Sequence, residues 1–156
     1  MNQHDPVVIV GGGLAGATAA FALRERGVDG RIVIVSEEPQ LPYERPPLSK
    51  AYLRGEEPLE KAFVKQASDY DAQSIDLLSG RRAVQLDPVS RRVNLDDGTD
   101  LPYGALLLAT GSAPRRLDVE GGDLAGIRLL RTAADAESLR AAAARSESAS
   151  AAVRSR

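Results

Sequence analysis

The feature that most constrains the fold of this chain is a short apolar run followed at once by a glycine-rich turn. "VVIV" (7–10) is a continuous β-branched run, which is typical of a strand buried on both faces of a parallel sheet. The next stretch, "GGGLAGATAAFALRERG", places Gly11, Gly13 and Gly16 in a G-x-G-x-x-G pattern and then becomes helical. Gly27 is well placed to end that helix. The sequence therefore predicts a strand, a tight turn and a helix in succession.

Glycine is expected at each position of the pattern for a different steric reason. Gly11 allows the tight turn from strand to helix, Gly13 lets the backbone approach a pyrophosphate, and Gly16 lets the helix pack closely on the strand. The unpaired N–H groups and the positive dipole at the helix start favour a diphosphate there. The pattern therefore predicts an anion site at the beginning of this helix.

An acidic residue follows at the distance that a dinucleotide site requires. "RIVIV" (31–35) is predicted to be a second buried strand, and Glu37 stands just beyond it. An acid at the end of the second strand accepts hydrogen bonds from an adenosine ribose, and Glu38 is the neighbouring candidate for this role. The order of strand, helix, strand and acid indicates dinucleotide binding, but by itself it does not distinguish FAD from NAD.

Composition excludes several other classes of function. The 156 residues are 43% hydrophobic and 27% charged, which fits one globular domain, and a net charge of −2 gives no basic field for nucleic acid. The chain has no cysteine, which excludes disulfides and thiolate metal sites within it. The N-terminal stretch has neither a basic region nor a long apolar run, so we expect no signal peptide, no membrane span and a cytoplasmic location.

The loop "LPYERPPLSKAYL" (41–53) is rigid because of its two adjacent prolines. A residue before proline is disfavoured in the α region, so Arg45 and Pro46 are predicted to be extended. Pro47 is suited to open a short helix, which would present Lys50 from its first turn. A surface turn with a solvated lysine is the alternative interpretation.

The sequence from residue 69 onward predicts an antiparallel meander and one more parallel strand. "DYDAQSIDLLSG" (69–80) reads as a helix end and a strand, and "AVQLD" and "RRVNLDDG" read as half-buried strands of an antiparallel meander. "ALLLAT" (105–110) is continuously apolar and is predicted to be a buried parallel strand. A helix is predicted over 132–145 and a disordered tail over 146–156.

Four segments together, "VVIVGGGLAG", "PYERPPLSKAYL", "LLLATGSAPR" and "RLLRT", resemble the ferredoxin reductase family of FAD-dependent NAD(P)H oxidoreductases, to which flavoproteins of the apoptosis-inducing-factor type are related. The resemblance covers about residues 7–145. It implies an incomplete α/β, Rossmann-like FAD-binding fold of three layers, with a parallel sheet, helices and an antiparallel β-meander. It further implies FAD as cofactor, with NAD(P)H as electron donor and a ferredoxin-type iron–sulfur protein as partner. Because the chain lacks cysteine, the dithiol relay of disulfide reductases in the same superfamily is excluded here.

The resemblance also implies roles for individual residues. Leu14 and Ala15 would lie against the FAD diphosphate, and Glu37 would hold the adenosine ribose. Arg45 and Lys50 would lie near the diphosphate, the ribityl chain or the flavin. A fixed positive charge from Lys50 beside the isoalloxazine would stabilise the anionic reduced flavin.

Further positions follow from the same resemblance. The main chain of Ala83 would contact the adenine, although a sheet residue without a ligand is the alternative. Thr110 and Gly111 would pass close to the FAD phosphates, where glycine permits close approach of the backbone. Arg131 would contact FAD, or else be a surface arginine at the start of a helix.

The domain organisation implied by the resemblance is partial. Residues 1–145 are expected to be the first segment of an FAD-binding domain, and the NAD(P)H and C-terminal interface domains of the family are not recognised in the chain. The resulting hypothesis is the FAD-binding portion of an NAD(P)H-dependent ferredoxin reductase that is not catalytically competent alone. The alternative is a non-catalytic module for FAD or an adenine nucleotide that acts with a second polypeptide.

Overall fold

The structure, a computed structural model, describes residues 5–154, with side chains described as far as residue 146. The strands are β1 (Val7–Val10), β2 (Ile32–Ser36), β3 (Ile75–Ser79), β4 (Ala83–Asp87), β5 (Arg92–Leu95), β6 (Asp100–Pro102) and β7 (Ala105–Leu108). The α-helices are α1 (Leu14–Glu25), α2 (Ala51–Arg54), α3 (Ala67–Ala72) and α4 (Ala133–Arg154).

The chain forms two compact units, each with its own elements. The first contains residues through Glu44 together with Phe63–Gly111, and the second contains Arg45–Ala62 together with residues from Ser112 onward. All described strands lie in the first unit with α1 and α3. The second unit holds α2, α4 and two short 3-10 helices, Pro46–Ser49 and Leu59–Ala62.

The first unit contains two sheets. A four-stranded parallel sheet has the order β3-β2-β1-β7, and a three-stranded antiparallel sheet has the order β4-β5-β6. Parallel pairing of β1 with β2 requires a crossover connection, which α1 supplies. The predicted parallel sheet and antiparallel meander are therefore confirmed.

Alternating side chains of β1 and β2 build a core on each face of the parallel sheet, because successive residues of a strand point to opposite faces. One cluster joins the sheet to the meander, and the other joins it to the helices. The first contains Val8, Val10, Val33, Val35, Val93, Leu95, Leu101 and Tyr103; the second contains Ile9, Ala20, Ile32, Ile34, Tyr70 and Ile75. The meander, the parallel sheet and the helices make up the three layers that were predicted.

Strand β7 departs from its predicted burial. Leu106 packs against the first cluster, but Leu107 and Leu108 are 39% and 59% exposed. The strand lies at the edge of the parallel sheet, with β1 as its neighbour. The prediction of a buried strand over 105–110 was wrong in this respect, since an apolar run that is covered on both sides in β1 is only partly covered at an edge.

The proline loop is helical where an extended chain was predicted. Arg45 has φ −80° and ψ −28°, and Pro46 begins a 3-10 helix in which the Leu48 N–H donates to the Arg45 carbonyl at 3.0 Å. The prediction of an extended Arg45 and Pro46 was therefore wrong. Within the same unit, this helical turn is accompanied by the burial of Leu48 and by a hydrogen bond from the Arg45 guanidinium to the Arg131 carbonyl. The two prolines fit the first positions of a helix, where no N–H is needed.

Helix α4 is longer than predicted. The helix expected over 132–145 is present, and its backbone continues to Arg154. The disordered tail expected over 146–156 stays a prediction, and residues 155 and 156 lie outside the described part. The segment is rich in alanine and has neither glycine nor proline to end a helix. Over the described residues, no helix combines the length and the apolar content needed to cross a bilayer.

Candidate functional site

Three loops come together at the carboxyl edge of the parallel sheet in the first unit. The Gly11 N–H donates to the Val35 carbonyl at 2.9 Å, which ties the turn after β1 to the end of β2. The Ala109 N–H donates to the Val10 carbonyl at 2.8 Å, which brings the end of β7 to the same place. In open α/β sheets, ligands bind outside the carboxyl ends of the strands, so this edge is the candidate site.

Gly11 and Gly16 are required by the packing of this edge. Gly11 has φ +125°, and a Cβ added to it would lie 2.1 Å from the Ala109 carbonyl oxygen. A Cβ on Gly16 would lie 2.0 Å from the Gly11 carbonyl oxygen and 3.2 Å from Ile9 Cγ2. The tight turn and the close packing of helix and strand predicted for these two glycines are confirmed.

Position 12 must be glycine for a structural reason that the sequence pattern did not reveal. A Cβ on Gly12 would lie 2.2 Å from Ser36 Oγ, and Ser36 is a buried polar residue whose hydroxyl donates to the Glu38 carbonyl at 3.1 Å. No local signal marks this contact, because its partner lies 24 residues away along the chain. The turn after β1 thus packs directly against the end of β2.

Gly13 differs from its neighbours because the packing does not require it to be glycine. It has φ −92°, and an added Cβ would meet no described protein atom within 4 Å. Gly13 is the N-cap of α1 without a side-chain cap, and Leu14 and Ala15 after it are exposed. The open surface and the N–H groups of the first turn form a cradle that fits a diphosphate and that a Cβ would partly fill.

The structure distinguishes the two acidic residues after β2. The Glu38 carboxylate accepts a hydrogen bond from the hydroxyl of Tyr43, which is buried. The Glu37 side chain is 70% exposed, with one carboxylate oxygen 3.8 Å from Arg82 Nη1. Glu37 therefore has a carboxylate at the surface of the sheet edge, while that of Glu38 holds the loop.

The start of β4 lies beside the end of β2. The Arg81 N–H donates to the Ser36 carbonyl at 2.8 Å, and the Gly80 N–H donates to the Glu38 carbonyl at 3.3 Å. Ala83 is half-buried and packs against the cluster between the two sheets. The structure thus places Ala83 on the segment that adjoins Glu37, which is compatible with its predicted contact to the adenine.

Thr110 and Gly111 complete the predicted set in the first unit. Both residues are exposed, and Gly111 has φ +72°, in the left-handed region that favours glycine. They follow Ala109, the residue whose carbonyl packs on Gly11. The predicted phosphate contacts of these two residues therefore lie next to the glycine turn.

The other three predicted residues belong to the second unit. Arg45 donates to the main chain of Arg131, so these two arginines are brought together. Lys50 is exposed and lies between the first 3-10 helix and α2. All three roles toward FAD remain predictions.

Helix α4 supports the proline loop within this unit. The Tyr52 hydroxyl donates to Glu137 Oε1 at 2.8 Å, and burial, followed by that bond, raises the pKa of Tyr52. Leu48 is 2% exposed, and Ala133 and Ala136 on α4 are fully buried. The loop is therefore held by a tertiary contact in addition to its prolines.

The sequence pattern alone did not identify the start of α4 as part of the structure that holds the proline loop. Thr132 and Asp135 exchange hydrogen bonds there, and Asp135 also accepts one from the Arg131 N–H. The signal that could have found them is T-x-x-D before a helical run, which is a variant of the capping box.

The fold and the glycine cradle at the sheet edge define a nucleotide-binding domain of the Rossmann type. The chain belongs to the pyridine nucleotide-disulphide oxidoreductase family, which matches residues 5–153. That family and the ferredoxin reductases within it are FAD-dependent flavoproteins.

The relatives named for their activity are reductases of ferredoxin-type proteins. A ferredoxin–NAD(P)(+) reductase from a Sphingomonas species is 45% identical over 140 residues, covering 90% of this chain and 34% of the relative. The putidaredoxin reductase of Pseudomonas putida is 43% identical over 143 residues, covering 90% of this chain and 34% of the relative. This chain thus spans about one third of the length of these relatives.

Two solved structures of reductases are also similar to this chain over most of its length. The crystal structure of a covalent putidaredoxin reductase–putidaredoxin complex matches with a TM-score of 0.78 and 42% identity, over 87% of this chain and 33% of that one. A ferredoxin reductase from Rhodopseudomonas palustris matches with a TM-score of 0.80 and 40% identity, over 88% of this chain and 34% of that one.

Proposed function

We propose that this chain is the FAD-binding portion of an NAD(P)H-dependent ferredoxin reductase. Family membership and the similar reductases support the class of reaction. The observation that carries the binding of a dinucleotide is Gly13, where an added Cβ would meet no described protein atom within 4 Å at the uncapped start of α1, and family membership supports FAD as that dinucleotide. A ligand that approaches the backbone explains a glycine at this position, whereas protein packing does not.

Residues of the first unit would hold the adenosine and diphosphate parts of FAD. Gly13, Leu14 and Ala15 would hold the diphosphate through N–H groups at the start of α1. Glu37 would accept hydrogen bonds from the ribose hydroxyls, since its carboxylate is exposed while that of Glu38 is bonded to Tyr43.

The other proposed contacts are with the adenine, the phosphates and the flavin end. The Ala83 main chain would contact the adenine, and Thr110 and Gly111 would line the phosphates. Arg45 and Arg131 would provide positive charge for the ligand, and Lys50 would do so beside the flavin, as the family resemblance implies. When bound, FAD supplies the redox chemistry, because it accepts electrons in pairs and releases them singly.

The activity of the whole protein is proposed on the same basis. NAD(P)H would donate a hydride, and a ferredoxin-type iron–sulfur protein would receive the electrons in the cytoplasm. Residues 1–145 would be the first segment of the FAD-binding domain, with the nicotinamide and interface domains of this class lying outside the 156 residues. The 156 residues contain no cysteine, so none of them supplies a dithiol relay.

Calorimetric titration of the FAD-free chain with FAD and, separately, with NAD tests the proposal. We expect FAD to bind more tightly than NAD, because the proposed contacts extend beyond the adenosine diphosphate that the two ligands share. Tighter binding of NAD would overturn the assignment. Tight binding of ADP with no gain for FAD would favour an adenine-nucleotide module.

A further inference from the structure

The start of α4 carries a hydrogen-bond arrangement that extends beyond an ordinary helix cap. Thr132 Oγ1 accepts the Asp135 N–H at 3.1 Å, and Asp135 Oδ2 accepts the Thr132 N–H at 2.8 Å. These reciprocal bonds form a capping box. The same Asp135 oxygen also accepts the Arg131 N–H at 2.9 Å, which lies one residue before the N-cap.

The peptide groups of Arg131 are held from two sides. Asp135 holds its N–H, and the guanidinium of Arg45 donates to its carbonyl oxygen. Both bonds use the main chain of Arg131, so neither one occupies its guanidinium. Arg45 is thereby tied to Arg131 although the two lie 86 residues apart in sequence.

The ionisation state of the Asp135 carboxyl suits its role as the acceptor of these N–H hydrogen bonds. The backbone N–H of Thr132 is the main cause that holds the pKa of the Asp135 carboxyl below its usual range, and the positive charge of Arg45 adds to it. The carboxylate is therefore ionised at neutral pH. Hydrogen bonds with one ionised partner are about twice as strong as neutral ones.

We propose that Asp135 is a positioning residue for FAD binding, which fixes the main chain of Arg131 and, through the Arg131 carbonyl, the guanidinium of Arg45, so that the two arginines are held as one group. This inference rests on the proposed function of the chain, in which both arginines bind FAD. Asp135 itself has no contact with the ligand in this role. A helix cap alone explains the bond to Thr132, but it does not explain the bond to the Arg131 N–H.

A comparison of Asp135→Asn with Thr132→Ala separates positioning from capping. Asparagine has the same shape and retains an acceptor, but it lacks the charge. Alanine at 132 removes the hydroxyl of the capping box while leaving the Asp135 carboxylate and the Arg131 N–H in place. Both variants are expected to lower the melting temperature, and both are measured at a temperature where each is folded.

Two measurements are made on these proteins. In the ligand-free chain, amide hydrogen exchange at Arg131 should become about tenfold faster in Asp135→Asn, since an ionic hydrogen bond is lost, and should change little in Thr132→Ala. In a titration with FAD, the dissociation constant should rise on the order of tenfold for Asp135→Asn and stay near that of the unchanged chain for Thr132→Ala.

The outcomes distinguish this inference from the proposed function. If the unchanged chain binds no FAD, the proposed function fails. If it binds FAD and Asp135→Asn binds equally well, or if the two variants weaken binding to the same extent, then Asp135 only caps the helix and the inference is overturned. Unchanged exchange at Arg131 in Asp135→Asn would also overturn it.

Discussion

At the scale of the residue, adjacent glycines in the turn after β1 have different roles. Gly11 and Gly12 are glycine because of the Ala109 carbonyl and the Ser36 side chain, each within about 2.2 Å of where a Cβ would lie. Gly13 has no such neighbour among the described atoms. Substitutions at these positions should therefore separate the stability of the fold from the binding of the ligand.

We expect Gly13→Ala to weaken FAD binding while leaving the fold intact. Its φ of −92° suits alanine, so the free energy of unfolding should fall by less than about 1 kcal/mol. The added methyl group would occupy the approach to the diphosphate, which should weaken binding about tenfold or more, measured by calorimetry.

Gly11→Ala is the matched control. The positive φ and the short contact to Ala109 should together lower stability by about 3 kcal/mol or more. If Gly13→Ala bound FAD normally, the diphosphate would not lie at the start of α1.

Glu37 should contribute to affinity but not to folding. Replacing Glu37 with alanine removes an exposed carboxylate and should weaken FAD binding by about 1–3 kcal/mol, the usual range for hydrogen bonds to a charged group. Titration with FAD measures this change, with thermal unfolding of the ligand-free variant as the check on stability. An unchanged affinity would contradict the proposed ribose contact.

Tyr70 and Tyr43 form a second matched pair. Tyr70 is 2% exposed, and its hydroxyl has no hydrogen-bond partner among the residues that the structure describes, whereas the hydroxyl of Tyr43 donates to Glu38. Tyr70→Phe should raise the free energy of unfolding by about 1 kcal/mol, because an unsatisfied buried group is removed and the edge-to-face contact with Phe21 is kept. Tyr43→Phe should lower it by about 1–3 kcal/mol. Denaturant unfolding at neutral pH measures both changes.

The buried hydroxyl of Tyr70 should also make the stability of the fold depend on pH in the alkaline range. Burial raises the pKa of Tyr70 to about 12, so the unfolded chain releases this proton near pH 10 while the folded chain retains it. The folded state therefore loses about 1.4 kcal/mol per pH unit between roughly pH 10 and 12 from this residue. In Tyr70→Phe, the free energy of unfolding should lack this decrease between roughly pH 10 and 12. An identical pH dependence in Tyr70→Phe and in the unchanged chain would contradict the burial of this hydroxyl.

At the scale of the element, one side chain joins the end of α1 to two separate turns. The Arg24 guanidinium donates to the carbonyls of Gln73 at 2.7 Å, Ser74 at 2.8 Å and Gly30 at 2.7 Å, and also to that of Val28. The planar guanidinium carries five N–H donors spread over three nitrogens, whereas the ammonium of lysine carries three on one nitrogen. Arg24 thus connects α1 with the turn before β2 and the turn before β3.

Arg24→Lys should lower the free energy of unfolding by about 1–3 kcal/mol, since the charge is kept but most of these hydrogen bonds are lost. Chemical denaturation measures the loss. Arg26→Lys, at an exposed position just after the same helix, should stay within about 0.5 kcal/mol of the unchanged chain. Equal effects of the two substitutions would show that the bonds of Arg24 contribute no stability.

At the scale of the whole molecule, the 156 residues contain one G-x-G-x-x-G turn and span about one third of the length of the reductases that they resemble. Hydride transfer requires the nicotinamide to lie within about 3–3.5 Å of the flavin, and this positioning supplies roughly 7–11 kcal/mol of the barrier. The polypeptide has a proposed site for FAD but no second turn of this kind for a nicotinamide dinucleotide.

We therefore expect the 156-residue polypeptide with excess FAD to show no NAD(P)H-dependent reduction of ferricyanide or of a ferredoxin above that of free FAD. Steady-state absorbance assays measure this, with a full-length ferredoxin reductase as the positive control. Turnover well above free FAD would show that these residues position the nicotinamide themselves. Recovery of activity with a separately expressed nicotinamide-plus-interface fragment would support the proposed function.

The sequence by itself determined the elements that depend on local chemistry. The run from β1 through the glycine turn and α1 to β2 was predictable, because β-branched runs, glycine-rich turns and helical periodicity act over a few residues. Gly27 ends α1 as predicted, with φ +79°, and the strands predicted in "AVQLD" and "RRVNLDDG" pair in the antiparallel meander. The position of Glu37 after β2 also follows from chain order.

Only the tertiary structure decided which partners those elements would meet. The same kind of apolar run is buried in β1 and half-exposed in β7, because one strand has neighbours on both sides and the other lies at an edge. Arg45 is helical in a turn whose Leu48 is buried, and the Glu38 carboxylate accepts a hydrogen bond from Tyr43 while the Glu37 side chain is exposed. Burial and hydrogen bonding depend on residues distant in the chain, so the local pattern could not reveal them.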